Sequence, residues 1–411
     1  MRVMYLCVTA EMGGAERSLY DVMSSIRKAQ PSWALALVTG AHGPLVDLAS
    51  ELGVATQVLP LPRSLAKFGE TGGAPRRAGR LRLGLRLAAT AVPGSAYVTR
   101  VRREIARFGP DVLHTNSLKM HLIGTWAASG AASGRGHSAP VVWHMHDYVG
   151  VRPMTARLLR RTAARCAGAI ANSASVAADL RRACGDGLPV ATVLNAVDLD
   201  RFSSEGPCAD LDRLAGLPPA GPGTVRVGLL ATFGRWKGHT TFLDAVARLP
   251  RDLPIRGYIV GGAVYRTDDS QHVLDDLRRY AERVGVADRV GFTGFVARPE
   301  DAMRALDIVV HASTSPEPFG LVIVEAMACG RAVVASAAGG ATEIFTPGVD
   351  ALAHEPGRAD ELAARIEELV RDAGRRQQLG RAGRRTAERR FDRTRLALEL
   401  VPVYQQAIAA S

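Results

Sequence analysis

Two glutamates eight residues apart, Glu317 and Glu325, have the spacing that says most about chemistry. Prolines on both sides of Glu317 stop any earlier helix, so a helix is predicted to begin near Phe319 with free backbone N–H groups in its first turn. Those N–H groups and the helix dipole suit an anionic diphosphate, and Gly320 lets a ligand approach the backbone closely. Because eight residues span about two helical turns, the carboxylates can bind two ends of an elongated ligand, for example through the vicinal hydroxyls of sugars.

The alternative interpretation of this pair is structural. Glu317 would then be a favourable charge at a helix N-terminus, and Glu325 a solvated helix residue. Glu325, however, lies within the apolar stretch 321–328, where a solvated carboxylate is unfavourable. We therefore interpret the whole segment 315–330 as a ligand site.

A glycine pair, Gly13 and Gly14, follows the first apolar run and opens a predicted helix at Ala15. Its N–H groups can bind a phosphate or an acceptor. Without further support a glycine pair after a strand is only a tight turn. The neighbouring Glu16 favours the functional interpretation.

A second strand end carries two histidines and an aspartate. Alternation along the predicted strand places His144 and His146 on one side with Met145 on the other, and Asp147 follows directly. The alternative is a core histidine that bonds only the backbone. A metal site is disfavoured because the sequence positions no third ligand.

These motifs require a scaffold that brings strand ends together. Short apolar runs alternate with amphipathic helical patterns, which is typical of parallel sheets covered by helices on both faces. The pattern breaks in a segment rich in Pro, Gly and Ala, 203–223, so we predict two doubly wound α/β domains joined by a linker, with helices alone in 358–411. Ligands of such sheets bind beyond the carboxyl ends of the strands, and two facing domains make a deep cleft. The predicted strands are Val3–Val8, Ala34–Val38, Thr56–Leu59, Val112–His114, Val141–His144, Ala169–Ala171, Val190–Leu194, Val225–Leu230, Ile255–Val260, Arg289–Phe292, Ile308–His311 and Ala332–Ala335.

The positive charge is clustered. The chain has 411 residues and a net charge of +12, and the excess lies in 63–107 and 375–395. Such basic surfaces attract nucleic acid, anionic lipid or phosphorylated ligands, although arginines on solvated helix faces are the alternative. Aromatic residues make up only 5% and no zinc-finger or RRM pattern is present, which disfavours nucleic acid. The five cysteines have no CxxC spacing and indicate a reduced, cytoplasmic protein, and no apolar run approaches the roughly 20 residues of a membrane span.

Taken together, the segment 315–330 and the short motifs at 13–16, 195–198, 305–307 and 339–343 resemble those of the retaining GT-B glycosyltransferases, family 4 (glycosyl transferases group 1). The resemblance extends over nearly the whole chain. It implies a GT-B fold of two Rossmann-like domains. The implied segments are an N-terminal acceptor-binding domain at 1–205, a linker at 206–223, a C-terminal donor-binding domain at 224–390, and a C-terminal helix at 391–411 that packs back towards the first domain.

The resemblance also implies residue roles. Glu317 would contact the hydroxyls of the donor sugar, Lys237 and Arg235 would stabilise the charge that grows on the leaving diphosphate, and His146 would lie close to the transferred sugar. Only Trp236 separates Arg235 from Lys237, fewer residues than in most family members, so Lys237 is the firmer assignment. The other implied donor contacts are Glu325 on the ribose, Phe319, Gly320 and Leu321 on sugar and phosphate, and Gly261, Gly262, Phe295 and Val296 around the nucleobase. The implied phosphate or acceptor contacts are Gly13, Gly14, Glu16, His114, Asn116 and Asp147.

The implied function is transfer of a sugar from a UDP- or GDP-sugar to an unidentified acceptor with retention of configuration, in cell-surface glycan or natural-product biosynthesis. No metal or cofactor is expected, because preorganised cations stabilise the leaving diphosphate, and the resemblance implies that the leaving phosphate itself assists deprotonation of the acceptor. The expected partners are the donor and a sugar, lipid-linked or small-molecule acceptor, with peripheral contact of 63–107 with the inner face of the membrane and no nucleic acid. Two alternatives stay open: a nucleotide-sugar epimerase on the same fold, and a non-catalytic sugar-nucleotide-binding subunit. An oxidoreductase is disfavoured because no GxGxxG follows a strand at either domain start.

Overall fold

The computed structural model describes residues 1–66, 80–129, 138–262 and 271–411, with the side chains of all of these except 66 and 80–92. The chain divides into two compact units. The first contains Met1–Leu194 together with Arg393–Ser411, and the second contains Asn195–Asp392.

Each unit is built on a parallel β-sheet. The strands of the described residues are β1 Arg2–Cys7, β2 Ala34–Thr39, β3 Ala55–Val58, β4 Val112–Thr115, β5 Val141–Met145, β6 Gly168–Ala171, β7 Val190–Thr192, β8 Val225–Leu230, β9 Ile255–Val260, β10 Val290–Gly294, β11 Ile308–His311, β12 Ala332–Ser336 and β13 Leu352–His354. The first sheet has the order β3-β2-β1-β4-β5-β6-β7, and the second β10-β9-β8-β11-β12-β13. In both, the order reverses beside the first strand of the unit, which is the doubly wound topology.

Helices connect successive strands, as parallel pairing requires. They are α1 Gly14–Ala29, α2 Pro44–Glu51, α3 Arg63–Ala66, α4 Arg80–Phe108, α5 Leu118–Ala128, α6 Pro153–Ala163, α7 Ala174–Cys184, α8 Leu211–Leu214, α9 His239–Arg248, α10 Leu274–Arg283, α11 Pro299–Arg304, α12 Leu321–Ala328, α13 Ala359–Arg371, α14 Ala373–Arg390 and α15 Arg395–Ala409. Short 3-10 turns lie at Arg235–Lys237 and Gly340–Glu343.

The central strands are buried on both faces because helices cover both sides of each sheet. Every residue of β4 and β5 is buried, and so is every residue of β11 and β12. This explains why these strands are nearly continuous apolar runs rather than alternating ones. Each unit has its own core, with Trp143 fully buried in the first and Phe242 in the second. Burying one such side chain contributes about 2–3 kcal/mol.

The predicted fold class is confirmed. Each of the twelve predicted strands overlaps an observed strand, and residues 358–411 are helical. One short edge strand, β13, was not predicted. It pairs with β12 over three residues, too few to produce a pattern in the sequence.

The segment predicted as a linker, 206–223, packs on the second unit, which begins at Asn195. The buried side chain of Asp212 in α8 accepts hydrogen bonds from Arg256 at 2.7 Å and from the Tyr258 hydroxyl at 2.6 Å, both in β9. Its other oxygen lies 3.3 Å from Arg226 in β8. The Pro- and Gly-rich composition of the segment conceals this buried ion cluster.

The second unit ends at Asp392, and the last segment of the chain, Arg393–Ser411, belongs to the first unit. Ser25 of α1 donates a hydrogen bond to the Thr394 carbonyl at 3.2 Å, and Arg393 lies 3.7 Å from Asp21. The hydroxyl of Tyr404 in α15 lies 2.8 Å from His114 Nδ1 in β4. Helix α15 is therefore part of the first unit through polar as well as apolar contacts.

The basic cluster 375–395 consists largely of structural arginines. In α14, Arg376 donates to the carbonyls that end α13, Arg384 to the last carbonyl of α12, and Arg390 to the carbonyls of Glu343 and Ile344. A cation at a helix C-terminus satisfies orphan carbonyls and complements the dipole. Six of the nine arginines in 375–395 contact a backbone carbonyl or a carboxylate: 375, 376, 384, 390, 393 and 395.

The other basic cluster, 63–107, falls largely outside the described side chains. Lys67, Arg76 and Arg77 lie outside the described residues, and the side chains of the arginines in 80–92 lie outside them as well. Among the described residues, no helix is both long and apolar enough to cross a membrane.

Candidate active site

An ion pair between the buried Glu317 and the partly buried Lys237 lies beyond the carboxyl end of β11 in the second unit. Glu317 Oε1 is 2.6 Å from Lys237 Nζ, accepts a hydrogen bond from Ser313 Oγ at 2.5 Å, and is 3.6 Å from His311 Nε2. Glu317 is only 7% exposed. Burial alone would raise the pKa of this carboxyl, but Lys237 and His311 outweigh it and hold the pKa below the usual range. Glu317 is therefore an anion at neutral pH.

A glycine allows Lys237 to reach this position. Gly238 ends the 3-10 turn with φ +75°, and a Cβ there would lie 1.9 Å from the Ala312 carbonyl oxygen. The turn is also held to the loop after β11 by a hydrogen bond from the Thr314 N–H to the Trp236 carbonyl, at 2.8 Å. Only glycine has both the conformation and the space that this close approach needs.

The loop after β12 supports the other side of the pair. The Gly340 N–H donates to the Glu317 carbonyl at 2.7 Å, next to Gly339 with φ +67°. The loops after β8, β11 and β12 therefore meet at one place, and these three strands are neighbours in the sheet. This edge of a doubly wound sheet is where ligands bind.

The helix that follows Glu317 begins at Leu321, two residues later than predicted. Its N-cap is Gly320 with φ +108°, and no side chain caps its first N–H groups. Phe319 is buried with its ring against Phe391, so only its backbone is available to a ligand. Glu325 lies on the second turn, largely buried among the apolar residues of α12.

The residues predicted around the nucleobase come together at the ends of β9 and β10. The Gly261 N–H donates to the Gly294 carbonyl at 2.9 Å, and a Cβ on Gly262 would lie 3.7 Å from Phe295 Cβ. Phe295 is 73% exposed, an unusual environment for a large apolar ring, and Val296 beside it is half-buried. Such an exposed ring can stack on a planar base.

The other member of the predicted basic pair, Arg235, is exposed. Together with burial, its charge lowers the pKa of His272. Lys237, by contrast, is partly buried and lies 2.6 Å from Glu317.

The first unit has a second polar cluster at the carboxyl ends of β1, β4 and β5. Gly13 is the N-cap of α1, and Glu16 in its first turn is 5% exposed, 3.7 Å from Cys7 Sγ. Burial raises the pKa of Glu16 to about 7, and the charge of Asp147 adds to the effect. Two buried glutamates in this chain thus have opposite pKa shifts.

The predicted arrangement of the two histidines at the end of β5 is observed. The rings of His144 and His146 are 4.1 Å apart, and Met145 is buried in the core of the first unit. His146 Nε2 is 2.8 Å from Asn116 Oδ1. Burial lowers the pKa of His146 to about 3, so its ring is neutral.

His114 and Asn116 are fully buried, although they were predicted as acceptor contacts. His114 lies between the Tyr404 hydroxyl and His144 Nδ1, at 2.8 and 3.2 Å. Asn116 donates to the Ala15 carbonyl at 3.0 Å. Both side chains therefore contact protein groups and can act on a ligand only through their neighbours.

Two family models match the chain. The model described as Glycosyltransferase Family 4 matches residues 12–201, and the model described as Glycosyl transferases group 1 matches residues 223–386. The chain belongs to the group 1 glycosyltransferases with the GT-B fold.

Relatives of this GT-B chain include enzymes named for inositol-containing acceptors. A D-inositol 3-phosphate glycosyltransferase of Xylanimonas cellulosilytica is 35% identical over 250 residues, which cover 58% of this chain and 56% of the relative. A GDP-mannose-dependent alpha-(1-6)-phosphatidylinositol monomannoside mannosyltransferase of Mycobacterium tuberculosis is 32% identical over 251 residues, which cover 53% of this chain and 62% of the relative. The matches thus span little more than half the length of these relatives.

A solved structure matches the whole chain. Anabaena Alr3699/HepE in complex with UDP and glucose has a TM-score of 0.79 and 26% identity, and covers 98% of this chain and 99% of that chain.

Sequence reasoning missed four residues of the two clusters of this GT-B chain. His311 and Ser313 contact Glu317; His311 is the last residue of β11 and Ser313 follows the strand, so the rule that ligands bind at strand ends could have identified them. Cys7 ends β1 beside Glu16 in the same way. Tyr404 had no such signal, because it lies in a terminal helix 290 residues from His114.

Proposed function

We propose that this group 1 glycosyltransferase transfers a sugar from a nucleotide-diphosphate-sugar to an acceptor hydroxyl, with retention of anomeric configuration. The observation that carries the proposal is the ion pair between Lys237 and Glu317 beside the N-terminus of α12. The ammonium suits the diphosphate, the carboxylate suits sugar hydroxyls, and the first N–H groups of α12 suit a phosphate oxygen. The pair therefore offers complementary groups to both halves of a nucleotide sugar.

The proposed reaction exchanges one bond for another at the anomeric carbon. The bond from that carbon to the diphosphate oxygen breaks, and the bond to the acceptor oxygen forms on the same face of the sugar. The acceptor proton passes to the leaving phosphate, which keeps the charge balanced. Lys237, already held in place by Glu317, stabilises the negative charge that develops on the leaving group.

We also propose that transfer needs no metal ion. Among the described residues there is no group of three or more His, Cys, Asp or Glu side chains that could hold one. Lys237 and the α12 N-terminus would supply the positive charge instead. Activity that persists in excess EDTA supports this, and restoration of lost activity by Mg²⁺ or Mn²⁺ would contradict it.

The names of the relatives indicate which donors and acceptors to test first. The Anabaena protein binds UDP and glucose, whereas the Mycobacterium tuberculosis relative is GDP-mannose-dependent, so UDP- and GDP-sugars are the first donors to test. Inositol phosphate and phosphatidylinositol glycosides are the first acceptors, because two relatives are named for them. A thermal-shift panel of donors identifies the ligand, since binding to the native state raises its stability.

Mutation of the ion pair tests the assignment. Lys237→Ala and Glu317→Ala should each lower kcat at least about 100-fold, the usual effect of removing one electrostatic contact to a developing charge. Lys28→Ala and Glu51→Ala, on exposed side chains at the ends of α1 and α2, are the matched controls and should keep full activity. Near-normal turnover by both site variants would refute the assignment. The anomeric configuration of the product, measured by NMR, tests retention.

The same assays distinguish two alternative functions from sugar transfer. A nucleotide-sugar epimerase would change the donor sugar without acceptor and without free nucleotide accumulating. A non-catalytic subunit would bind the donor but release no nucleotide with any acceptor.

We propose a peripheral position at the inner face of the membrane through 63–107, and co-sedimentation with anionic but not neutral vesicles tests it.

A further inference from the structure

Asn116 follows β4, and its side-chain amide has a defined orientation. Its Nδ2 donates to the Ala15 carbonyl at 3.0 Å and lies 3.9 Å from Cys7 Sγ. A carbonyl oxygen can only accept, so the amide nitrogen must face α1 and Oδ1 must face the opposite way. Full burial leaves the side chain no water to pair with instead.

This orientation decides which nitrogen of His146 carries the proton. Asn116 Oδ1 is 2.8 Å from His146 Nε2 and can only accept, so Nε2 must donate. The neutral ring then has its lone pair on Nδ1. The other tautomer would place two lone pairs against each other, with Nε2 facing Oδ1.

His146 Nδ1 is buried and has no hydrogen-bond partner among the described residues. A buried acceptor without a donor is uncommon in folded proteins and calls for a ligand or water to supply one. The titratable groups near the ring are His144 on β5, His114 on β4, His121 on α5, Glu16 in the first turn of α1, and Asp147, the next residue in the chain. Burial lowers the pKa values of His114, His144 and His146, so each of the three rings is neutral and carries a single N–H.

We propose that Asn116 is a positioning residue that holds His146 as the Nε2–H tautomer, so that Nδ1 accepts a hydrogen bond from a sugar hydroxyl of the substrate. The inference rests on the proposed sugar transfer, because a sugar hydroxyl would supply the hydrogen-bond donor that Nδ1 lacks. It gives Asn116 a role through His146 rather than through direct contact with the acceptor.

The tautomer can be observed directly. The protonated and the lone-pair nitrogens of a neutral imidazole have different 15N chemical shifts, and His146→Gln identifies the His146 signals among the ten histidines of the chain. The parent protein should show a single Nε2–H tautomer for His146. Asn116→Ala should show a mixture of the two tautomers. A parent His146 with the proton on Nδ1, or an unchanged tautomer in Asn116→Ala, would overturn the proposal.

A matched control separates this effect from the loss of any buried amide. Asn172 is also buried and follows β6 as Asn116 follows β4, so Asn172→Ala removes a comparable side chain. The His146 spectrum should not change in this variant. A change as large as that of Asn116→Ala would mean that the tautomer responds to general loosening, which contradicts a specific role.

Kinetics test the role in transfer. Asn116→Ala should lower kcat about fivefold to tenfold, the range for one lost hydrogen bond, and change the KM for the donor less than about twofold. In a His146→Gln background the same substitution should have no further effect on kcat, because Asn116 acts only through that ring. Additive effects would overturn the proposal. An inactive parent protein would refute the proposed function, yet the NMR result would still decide the tautomer.

Discussion

The raised pKa of Glu16 predicts that this buried carboxyl makes the first unit less stable at neutral and alkaline pH than in mild acid. In the folded chain the pKa rises from 4.5 to about 7, chiefly because burial disfavours the charged form. Below about pH 4.5 the carboxyl is neutral in both the folded and unfolded chain and contributes no difference. Between about pH 4.5 and 7 the folded chain binds more protons than the unfolded one, so its stability falls as pH rises.

The magnitude follows from the size of the shift. A difference of 2.5 pH units at about 1.4 kcal/mol per unit corresponds to roughly 3 kcal/mol of stability lost by pH 8. Glu16→Gln has nearly the same shape and cannot ionise, so it avoids this loss. About 0.8 kcal/mol of this loss is already present at pH 5, so about 2.5 kcal/mol separates pH 5 from pH 8. For a unit of about 200 residues, about 1 kcal/mol corresponds to about 2–4 °C in Tm, so the variant should gain about 5–10 °C over the parent between pH 5 and pH 8.

The assay is thermal unfolding of both proteins at pH 5 and pH 8, scored as the change in their Tm difference. The buried histidines also titrate, with lowered pKa values, and they make both proteins less stable in acid. Because they are present in both proteins, their contribution cancels from the difference. Glu51→Gln, at the exposed end of α2, should show little change in its Tm difference. A Tm difference for Glu16→Gln that is the same at both pH values would refute the reasoning.

Three further predictions concern packing. Asp212→Ala should lower the free energy of unfolding of the second unit by about 1–3 kcal/mol in urea titrations, because it removes the acceptor of the buried Tyr258 hydroxyl and of two partly buried arginines, and a loss below about 0.5 kcal/mol would show that the cluster is not structural. Gly238→Ala should abolish nucleotide-sugar binding in calorimetry, because its Cβ would overlap a carbonyl oxygen at 1.9 Å. Gly223→Ala, which has a similar φ and nothing within 4 Å, should keep that binding, and equal losses in both would leave backbone strain as the sole cause. Tyr404→Phe should lower stability by about 1–3 kcal/mol, measured as a shift in the urea midpoint, because His114 Nδ1 loses its partner; an unchanged midpoint would count against that hydrogen bond.

The parts of the fold that could be predicted are those whose signal is local. Strand β11 was predicted with its observed bounds because it is an apolar run, 308–310, that follows Asp307 and ends at His311, as expected for a strand covered on both faces. Strand β13 is defined by pairing with β12, which no local pattern reports. Asp212 was likewise hidden, since its partners Arg226 and Arg256 lie 14 and 44 residues further along the chain.

The rule that ligands bind beyond the carboxyl ends of parallel strands could predict part of the candidate site. Lys237 and Glu317 are 80 residues apart, yet both follow central strands of one sheet, so the topology brings them together. The same rule selected Asn116 but could not tell that its amide is occupied by Ala15 and His146. Exposure depends on packing between distant segments, and the sequence reports it poorly.

The two buried glutamates show where residue type stops predicting chemistry. Glu16 and Glu317 are similarly buried, 5% and 7% exposed, and each follows a strand end in a doubly wound unit. Lys237 contacts Glu317 at 2.6 Å and keeps it ionised, whereas burial, with a smaller contribution from the charge of Asp147, raises the pKa of Glu16. Glu317 can therefore only accept hydrogen bonds, while Glu16 near neutral pH exists in both forms and can also donate one. The partner that each carboxylate meets after folding, more than its position in a motif, determines what it can do for a ligand.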